Sequence, residues 1–306
     1  MQHSIDEFLC WLEVEKGRSA NTLSAYRRDL RSYVDFLIVR GVDLEQVDDR
    51  LVGDYLAFLR AAGQQASTVS RHLAAVRGLH RFLLDEGQAG CDPTVEVQRP
   101  RVAMGLPKAL SEQDVVALLD AVVGDEPRAR RDRAMLEVLY GTGVRISELV
   151  GLSLSDLDLT VGMARAFGKG SKERLVPLGH HAQLALAQWL GPGGRSDLAP
   201  RAWARRGDAE AVFLNARGSR LTRQGAWGVV RHYAVKVGLE DKLSPHVLRH
   251  SCATHMLDHG ADIRVVQELL GHASISTTQV YTRVSTERLR SAYQAAHPRA
   301  ARRFRQ

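Results

Sequence analysis

The sequence predicts a mainly α-helical protein of the α+β class with two domains. Apolar residues recur three and four apart through residues 4–86 and again beyond residue 109, and one stretch, residues 159–178, alternates as β-strands do. At 306 residues the chain is long enough for two compact domains. We expect an N-terminal four-helix domain over 1–88, a linker over 89–108 and a mostly helical domain with a small antiparallel sheet over 109–306.

The first domain is assigned from helical periodicity. Leu23, Tyr26 and Leu30 recur at spacings that place them on one helix face, and Ser19 precedes them in an N-cap position. The following segment, residues 87–108, contains glycine, proline and isolated charges without a period, which is typical of a linker. In the second domain a Ser111-x-x-Asp114 capping box marks the first helix.

The residues between 159 and 178 predict a β-hairpin. The alternating pattern is interrupted by Gly168-Lys169-Gly170-Ser171-Lys172, a glycine-rich turn. Farther on, residues 191–207 combine glycine, proline and arginine, and we expect a surface loop there.

The charge balance favours a partner rich in phosphate. There are 42 Lys and Arg against 35 Asp and Glu, a formal charge of +7. The polar helix faces of the first domain carry arginines suited to a phosphate backbone, although a solvated helix face explains any single one equally well. These candidates are Arg27, Arg28, Arg31, Arg71 and Arg77, and the linker adds Arg99 and Arg101.

The cysteines and the apolar pattern predict a cytoplasmic protein. Cys10, Cys91 and Cys252 are widely separated and lack the CxxC spacing of metal or redox sites. The first residues carry Asp6 and Glu7 in place of a basic signal region, and the sequence has no apolar run of 18 residues. We therefore expect neither export nor membrane insertion.

A candidate phosphate site begins at Ser244. This serine suits an N-cap and Pro245 suits the first helical position, so His246 and Arg249 share a face of the first turn. Unpaired N–H groups and the helix dipole favour an anion there.

Zinc binding is the competing interpretation of this helix, because His246 and His250 are four apart and His255 and His259 follow. However, the glutamate of HExxH is missing, and Arg249 on the same face would repel a cation. We therefore expect no metal.

Further candidates lie elsewhere in the second domain. Arg145 precedes a helix, Lys169 lies in the hairpin turn, and His272 follows the helix-ending Gly271. Tyr281 comes nine residues later, after a Ser276-x-x-Gln279 capping pattern. Taken alone, each has an ordinary structural explanation, such as a surface charge or a core aromatic.

The GKGSK turn is not a nucleotide-binding P-loop. Met163 stands where the first glycine is required, and Gly170 replaces the Ser or Thr after the lysine. We therefore expect no use of ATP.

Taken together, these residues resemble the catalytic set of the tyrosine recombinases, the phage integrase family. The set is Arg145, Lys169, His246, Arg249, His272 and Tyr281. The stretches 243–250 and 260–272 are similar to those of the Xer recombinases within the family, and the likeness covers nearly the whole chain. The resemblance implies a four-helix core-binding domain and a catalytic domain that close on duplex DNA as a C-shaped clamp, with the basic linker along the backbone.

The resemblance also implies a role for each residue. Tyr281 attacks a backbone phosphate and forms a 3′-phosphotyrosine, Arg145 and Arg249 hold the non-bridging oxygens, and Lys169 protonates the leaving 5′ hydroxyl. We interpret His246 as the proton acceptor and His272 as a hydrogen-bond donor to phosphate. Glu148, three residues after Arg145, either orients an active-site side chain or is a surface acid.

The phosphotyrosine conserves the energy of the broken bond, so no nucleotide cofactor is expected. The resemblance implies a XerC-like partner in a heterotetramer, a role in chromosome dimer resolution and control by an FtsK-like DNA translocase. It suggests that residues 284–306 dock on a neighbouring protomer through Leu289 and Tyr293, although they would also suit a cap on their own domain.

Three other functions remain open. A phage or transposon integrase would use the same chemistry, often with an extra arm-binding domain before the four-helix unit. A DNA-binding module without catalysis would have a broken catalytic set, whereas all six positions are occupied here. A metal-dependent nuclease would need a divalent cation.

Overall fold

The chain forms two compact units, Met1–Gly105 and Leu106–Gln306, in the computed structural model. The structure describes residues 1–99, 109–168, 173–271 and 283–300. Each unit has its own hydrophobic core.

The first unit contains the predicted helices. They are α1 (Gln2–Val14), α2 (Ala20–Arg40), α3 (Asp49–Ala61) and α4 (Ala66–Asp85). Ser19 caps α2 by accepting a hydrogen bond from the Thr22 amide at 3.4 Å, as its position predicts. The apolar face of each helix turns inward, and the resulting core includes Phe8, Leu30, Leu37, Val52, Leu56, Leu73, Val76 and Leu79.

The segment after α4 packs on this unit. Ala89 and Val97 contact its core, and the Arg77 guanidinium donates hydrogen bonds to the carbonyls of Thr94 and Val97. Residues 89–99, the first part of the predicted linker, therefore lie against the first unit. Residues 100–108 fall outside the described residues.

The second unit is helical around a small sheet, as predicted. Its helices are α5 (Glu112–Asp120), α6 (Pro127–Thr142), α7 (Ile146–Gly151), α8 (His180–Leu190), α9 (Arg195–Leu198), α10 (Arg223–Lys236), α11 (Pro245–Asp258), α12 (Ile263–Leu270) and α13 (Arg283–Ala296). Its strands are β1 (Leu157–Asp158), β2 (Met163–Phe167) and β3 (Glu173–Pro177).

The sheet is antiparallel in the order β1-β2-β3. Strands β2 and β3 form the predicted hairpin, with Met163 opposite Pro177 and Phe167 opposite Glu173. The short strand β1 was not predicted. Helix α6 is the most deeply buried of the described helices, because α7, α8 and α11 all pack on it.

The expected loop at 191–207 contains regular structure. It includes the short helix α9, and the Arg195 guanidinium donates from Nε to the Ala211 carbonyl at 2.8 Å. The same guanidinium lies 5.6 Å from the centre of the Trp203 ring, a cation–π distance. The hydrogen bond to Ala211 ties the segment to the residues that follow it.

The C-terminal segment covers its own unit. Leu289 and Tyr293 of α13 are almost fully buried in the core of the second unit, and Arg299 pairs with the buried Glu137. Leu289 and Tyr293, which were expected to dock on a neighbouring protomer, thus pack within their own chain.

His297 makes this segment sensitive to acid. Burial, and then the nearby charges of His255, Arg299 and His259, lower its pKa to about 3. Its Nδ1 accepts a hydrogen bond from the Arg299 amide at 3.0 Å, and its ring stacks on Tyr293. Protonation would remove that acceptor and place a charge in the core.

The second unit should therefore lose stability on acidification. The folded pKa lies below the unfolded value of about 6.5, so the contribution is complete above pH 6.5 and is lost as the pH falls toward 3. We expect a loss on the order of 2 kcal/mol by pH 4.5, which His297→Asn should reduce because Asn accepts a hydrogen bond without titrating. Urea unfolding above pH 6.5 and at pH 4.5 measures this loss of stability, and the same substitution at the exposed His232 is the control. An unchanged pH dependence in His297→Asn would contradict this origin.

No described helix is long and apolar enough to span a membrane.

Candidate active site

Arg145 stands at the start of α7, where a tight turn follows α6. The turn depends on Gly143, whose φ of 60° is left-handed, and a Cβ there would lie 2.7 Å from Cδ2 of Leu270. Glycine thus lets α6 end against α12. Arg145 follows as the N-cap of α7, with its side chain 40% exposed.

Glu148 fixes Arg145. Its carboxylate accepts hydrogen bonds from the Arg145 amide at 2.7 Å and from Nη1 of the same residue at 2.8 Å. Burial alone would raise the pKa of Glu148, but hydrogen bonds and charge from Arg174, followed by those from Arg145, hold it below its usual value. Glu148 is buried, so the surface-acid interpretation is wrong. Its contacts fix Arg145, and the active-site role of that arginine stays a prediction.

Arg174 of β3 is a member of the cluster that the sequence analysis missed. Its Nη1 and Nη2 donate to the two oxygens of Glu148 at 2.9 and 2.8 Å, and its Nε donates to the Leu269 carbonyl at 2.9 Å. The sequence pattern of β3 did indicate that Arg174 is buried, because Arg174 lies two residues before Val176 and therefore on the same inward face of the strand.

The first turn of α11 supplies Arg249. Pro245 occupies the first turn as predicted, and Ser244 is the N-cap, although its side chain makes no capping hydrogen bond. Arg249 is 8% exposed and donates from Nη1 to the Gly143 carbonyl at 2.7 Å and from Nη2 to the Leu270 carbonyl. His246, three residues earlier, is exposed.

The cluster is strongly positive. Burial, then the charges of Arg145 and Arg174, lower the pKa of Arg249 to about 10, so its guanidinium still carries a charge at pH 7. One carboxylate, Glu148, opposes the three arginines. Such an arrangement favours an anion with several acceptor oxygens, and a phosphodiester is one.

Three predicted residues, Lys169, His272 and Tyr281, lie outside the described residues. The chain on either side of two of them is defined. Lys169 belongs to the connection between β2 and β3, and His272 follows Gly271, which ends α12 with a φ of 66° as predicted. The roles of all six residues remain predictions.

Two of the four histidines considered for zinc binding, His255 and His259, make hydrogen bonds within the fold. His255 pairs through Nδ1 with the Tyr140 hydroxyl at 2.9 Å and through Nε2 with the Leu110 carbonyl at 2.8 Å. His259 Nδ1 lies 2.7 Å from the His255 carbonyl. Both ring nitrogens of His255 are thus engaged within the fold.

The candidate phosphate-binding arginines of the first unit fall into two groups. Arg71 is half-exposed and donates from Nη1 to the buried Asp29 at 2.6 Å, and Arg77 holds the segment after α4. The others have no such anchor among the described contacts. Arg27, Arg28, Arg31 and Arg99 are exposed, and Arg101 lies outside the described residues.

Comparison with known proteins places the chain in a family. Residues 108–288 match the Phage integrase family, and residues 5–87 match the Phage integrase, N-terminal SAM-like domain. The chain therefore belongs to the phage integrase family, the tyrosine recombinases.

Within this family the chain is similar to proteins named Tyrosine recombinase XerD. The one from Mycobacterium tuberculosis (strain ATCC 25618 / H37Rv) is 49% identical, with 96% of each chain covered. The one from Listeria monocytogenes serotype 4b (strain F2365) is 43% identical, covering 98% of this chain and 100% of the relative. The chain is accordingly a site-specific tyrosine recombinase similar to XerD.

Solved structures show the same fold. A XerH site-specific recombinase bound to its difH substrate, before cleavage, has a TM-score of 0.64 and 26% identity, with 88% of this chain and 78% of that chain covered. A lambda integrase dimer bound to a COC′ core site has a TM-score of 0.67 at 17% identity, covering 92% and 99%, and supports the fold alone.

Proposed function

We propose that the chain cuts and rejoins duplex DNA through Tyr281. The Tyr281 oxygen attacks the phosphorus, the bond from phosphorus to the 5′ oxygen breaks, and a 3′-phosphotyrosine forms. An incoming 5′ hydroxyl then attacks that phosphorus and releases Tyr281. The observation that carries the proposal is the convergence of Arg145 and Arg249, with Glu148 fixing the first and two main-chain carbonyls fixing the second.

The two guanidiniums would stabilise the transition state. The non-bridging oxygens gain charge as phosphorus becomes five-coordinate, and preorganised donors stabilise that charge without a metal. A phenol with a pKa near 10 is about one part in a thousand ionised at pH 7, a deficit of roughly 4 kcal/mol. We assign His246 to accept the Tyr281 proton, Lys169 to protonate the leaving 5′ oxygen and His272 to donate to a phosphate oxygen.

We assign DNA binding to both units. The first unit would act as the core-binding domain, with its exposed arginines on the phosphate backbone, and residues 109–306 would carry catalysis. Duplex DNA as the substrate is supported by the XerH complex, which is bound to difH. Arg77 is already engaged with main-chain carbonyls, so we expect it to contribute less to DNA binding than Arg27, Arg28 or Arg31.

The biological role we propose is chromosome dimer resolution. A XerC-like recombinase would complete a heterotetramer on the recombination site, and an FtsK-like DNA translocase would control it. The XerD-named relatives, which match nearly the whole chain, support this role. A phage or transposon integrase is the second candidate, because an integrase of the Tn1549 transposon shares the fold at a TM-score of 0.68.

Covalent capture tests the proposal. Purified chain is mixed with fragmented genomic DNA of its source organism in excess EDTA without nucleotide, denatured, and the DNA that remains attached is sequenced. We expect one recurrent duplex sequence, and a nicked suicide duplex built on it should trap the adduct in high yield. Attachment that requires a divalent cation, or attachment that persists in Tyr281→Phe, would contradict the proposed chemistry. A chromosomal site in place of a mobile-element end would favour dimer resolution.

A further inference from the structure

Arg174 is not one of the six catalytic candidates, yet it connects two parts of the cluster, the Glu148 carboxylate and the last turn of α12. Its guanidinium is buried, and each of its three nitrogens donates to a defined acceptor. Lysine would supply a charge but not this planar set of donors. Position 174 therefore requires the geometry of a guanidinium as well as its charge.

We propose that Arg174 is a positioning residue for DNA cleavage, which orients Arg145 through Glu148 and fixes the end of α12. This inference rests on the proposed function of the site. Arg174 does not contact the phosphate in this scheme; it acts through its neighbours.

The route to Arg145 runs through the shared carboxylate. Each Glu148 oxygen accepts one hydrogen bond from Arg145 and one from Arg174, with all four distances between 2.7 and 2.9 Å. The Arg145 side chain is 40% exposed, so packing holds it weakly and Glu148 sets its direction. Without Arg174, the carboxylate would keep only the bonds from Arg145 and could rotate with it.

The second set of contacts lies at the last turn of α12. Arg174 binds the Leu269 carbonyl and Arg249 binds the Leu270 carbonyl, so two guanidiniums hold consecutive carbonyls at the helix end. The next residue, Gly271, approaches so closely that a Cβ would lie 3.0 Å from Cδ of Arg174. The Arg174 side chain therefore fixes the position of the end of α12.

A buried ion pair is weak evidence for stability by itself, because the desolvation of two charges offsets their attraction. An apolar side chain at position 174 would fill the same space. The test must therefore separate positioning from a merely structural role.

The experiment uses the full chain and two suicide duplexes that differ only at the scissile phosphate. One carries the natural phosphodiester, and in the other a methyl group replaces one non-bridging oxygen, which removes the charge that the arginines must stabilise. Arg174→Met and Arg174→Lys are compared with the wild type. Arg165→Met is the matched control, since Arg165 lies on the adjacent strand β2, is 43% exposed and pairs with Asp156.

On the phosphodiester, at saturating DNA, we expect Arg174→Met to form the adduct on the order of 10- to 100-fold more slowly, with DNA affinity unchanged. On the methylphosphonate the loss should shrink to a few-fold, as it should for Arg145→Ala. Arg174→Lys should show an intermediate rate, and it takes the place of Arg174→Met in the comparison if that variant does not fold. Arg165→Met should match the wild type on both duplexes.

Two results would overturn the role of Arg174. One is a wild-type rate for both variants on the phosphodiester, and the other is an equal loss on both duplexes, which would mean that Arg174 supports only the fold. Failure of the proposed function would look different, because Arg145→Ala would then cleave normally or Tyr281→Phe would still form the adduct.

Discussion

Replacement of Tyr281 by phenylalanine should abolish the covalent protein–DNA adduct on the nicked suicide duplex. The substitution removes one oxygen, the proposed nucleophile, and leaves every arginine of the cluster in place. No neighbouring group restores a phenol, so the residual adduct should fall below detection, and DNA affinity should remain close to that of the wild type.

The attachment point can be identified directly. Protease digestion of the wild-type adduct, followed by mass spectrometry, should place the nucleotide remnant on a peptide containing Tyr281. Tyr26→Phe is a suitable control, because Tyr26 is a partly exposed tyrosine of the first unit. An adduct of wild-type yield in Tyr281→Phe, or a remnant on another residue, would end the assignment.

Alanine at Arg145 or Arg249 should slow cleavage by on the order of 100-fold or more. Each substitution removes a donor that we propose binds the oxygens that gain charge in the transition state, where preorganised hydrogen bonds count most. Binding should weaken less, because the arginines that we assign to the DNA backbone are unchanged.

The two variants should differ in stability. The Arg145 side chain is 40% exposed, so its loss should cost less stability. Arg249→Ala leaves the carbonyls of Gly143 and Leu270 without their donor and should lower the free energy of unfolding by about 1 to 3 kcal/mol. Adduct formation is measured at saturating DNA and matched salt, and stability by urea unfolding. A loss of rate that only follows the loss of DNA affinity would make both residues positioning contacts on the backbone.

The sequence by itself determined the local elements. Ser19, the Ser111-x-x-Asp114 box and Gly271 each mark a helix end through hydrogen bonds or a φ angle within a few residues, and all three were confirmed. The β2-β3 hairpin is equally local. The family was also evident from the sequence, because six residue types at fixed places in the chain form a rare pattern.

Only the tertiary structure decided how the site is held. Glu148 and Arg174 are 26 residues apart, and Arg249 reaches a carbonyl 106 residues away, so no local period indicates either pair. From the sequence alone, an arginine is expected at the surface. Arg174 and Arg249 are nevertheless buried, because acceptors from distant segments satisfy their donors. Leu289 and Tyr293 also depend on contacts that are distant in sequence. Their spacing defined an apolar helix face, and only the packing showed that this face covers its own domain.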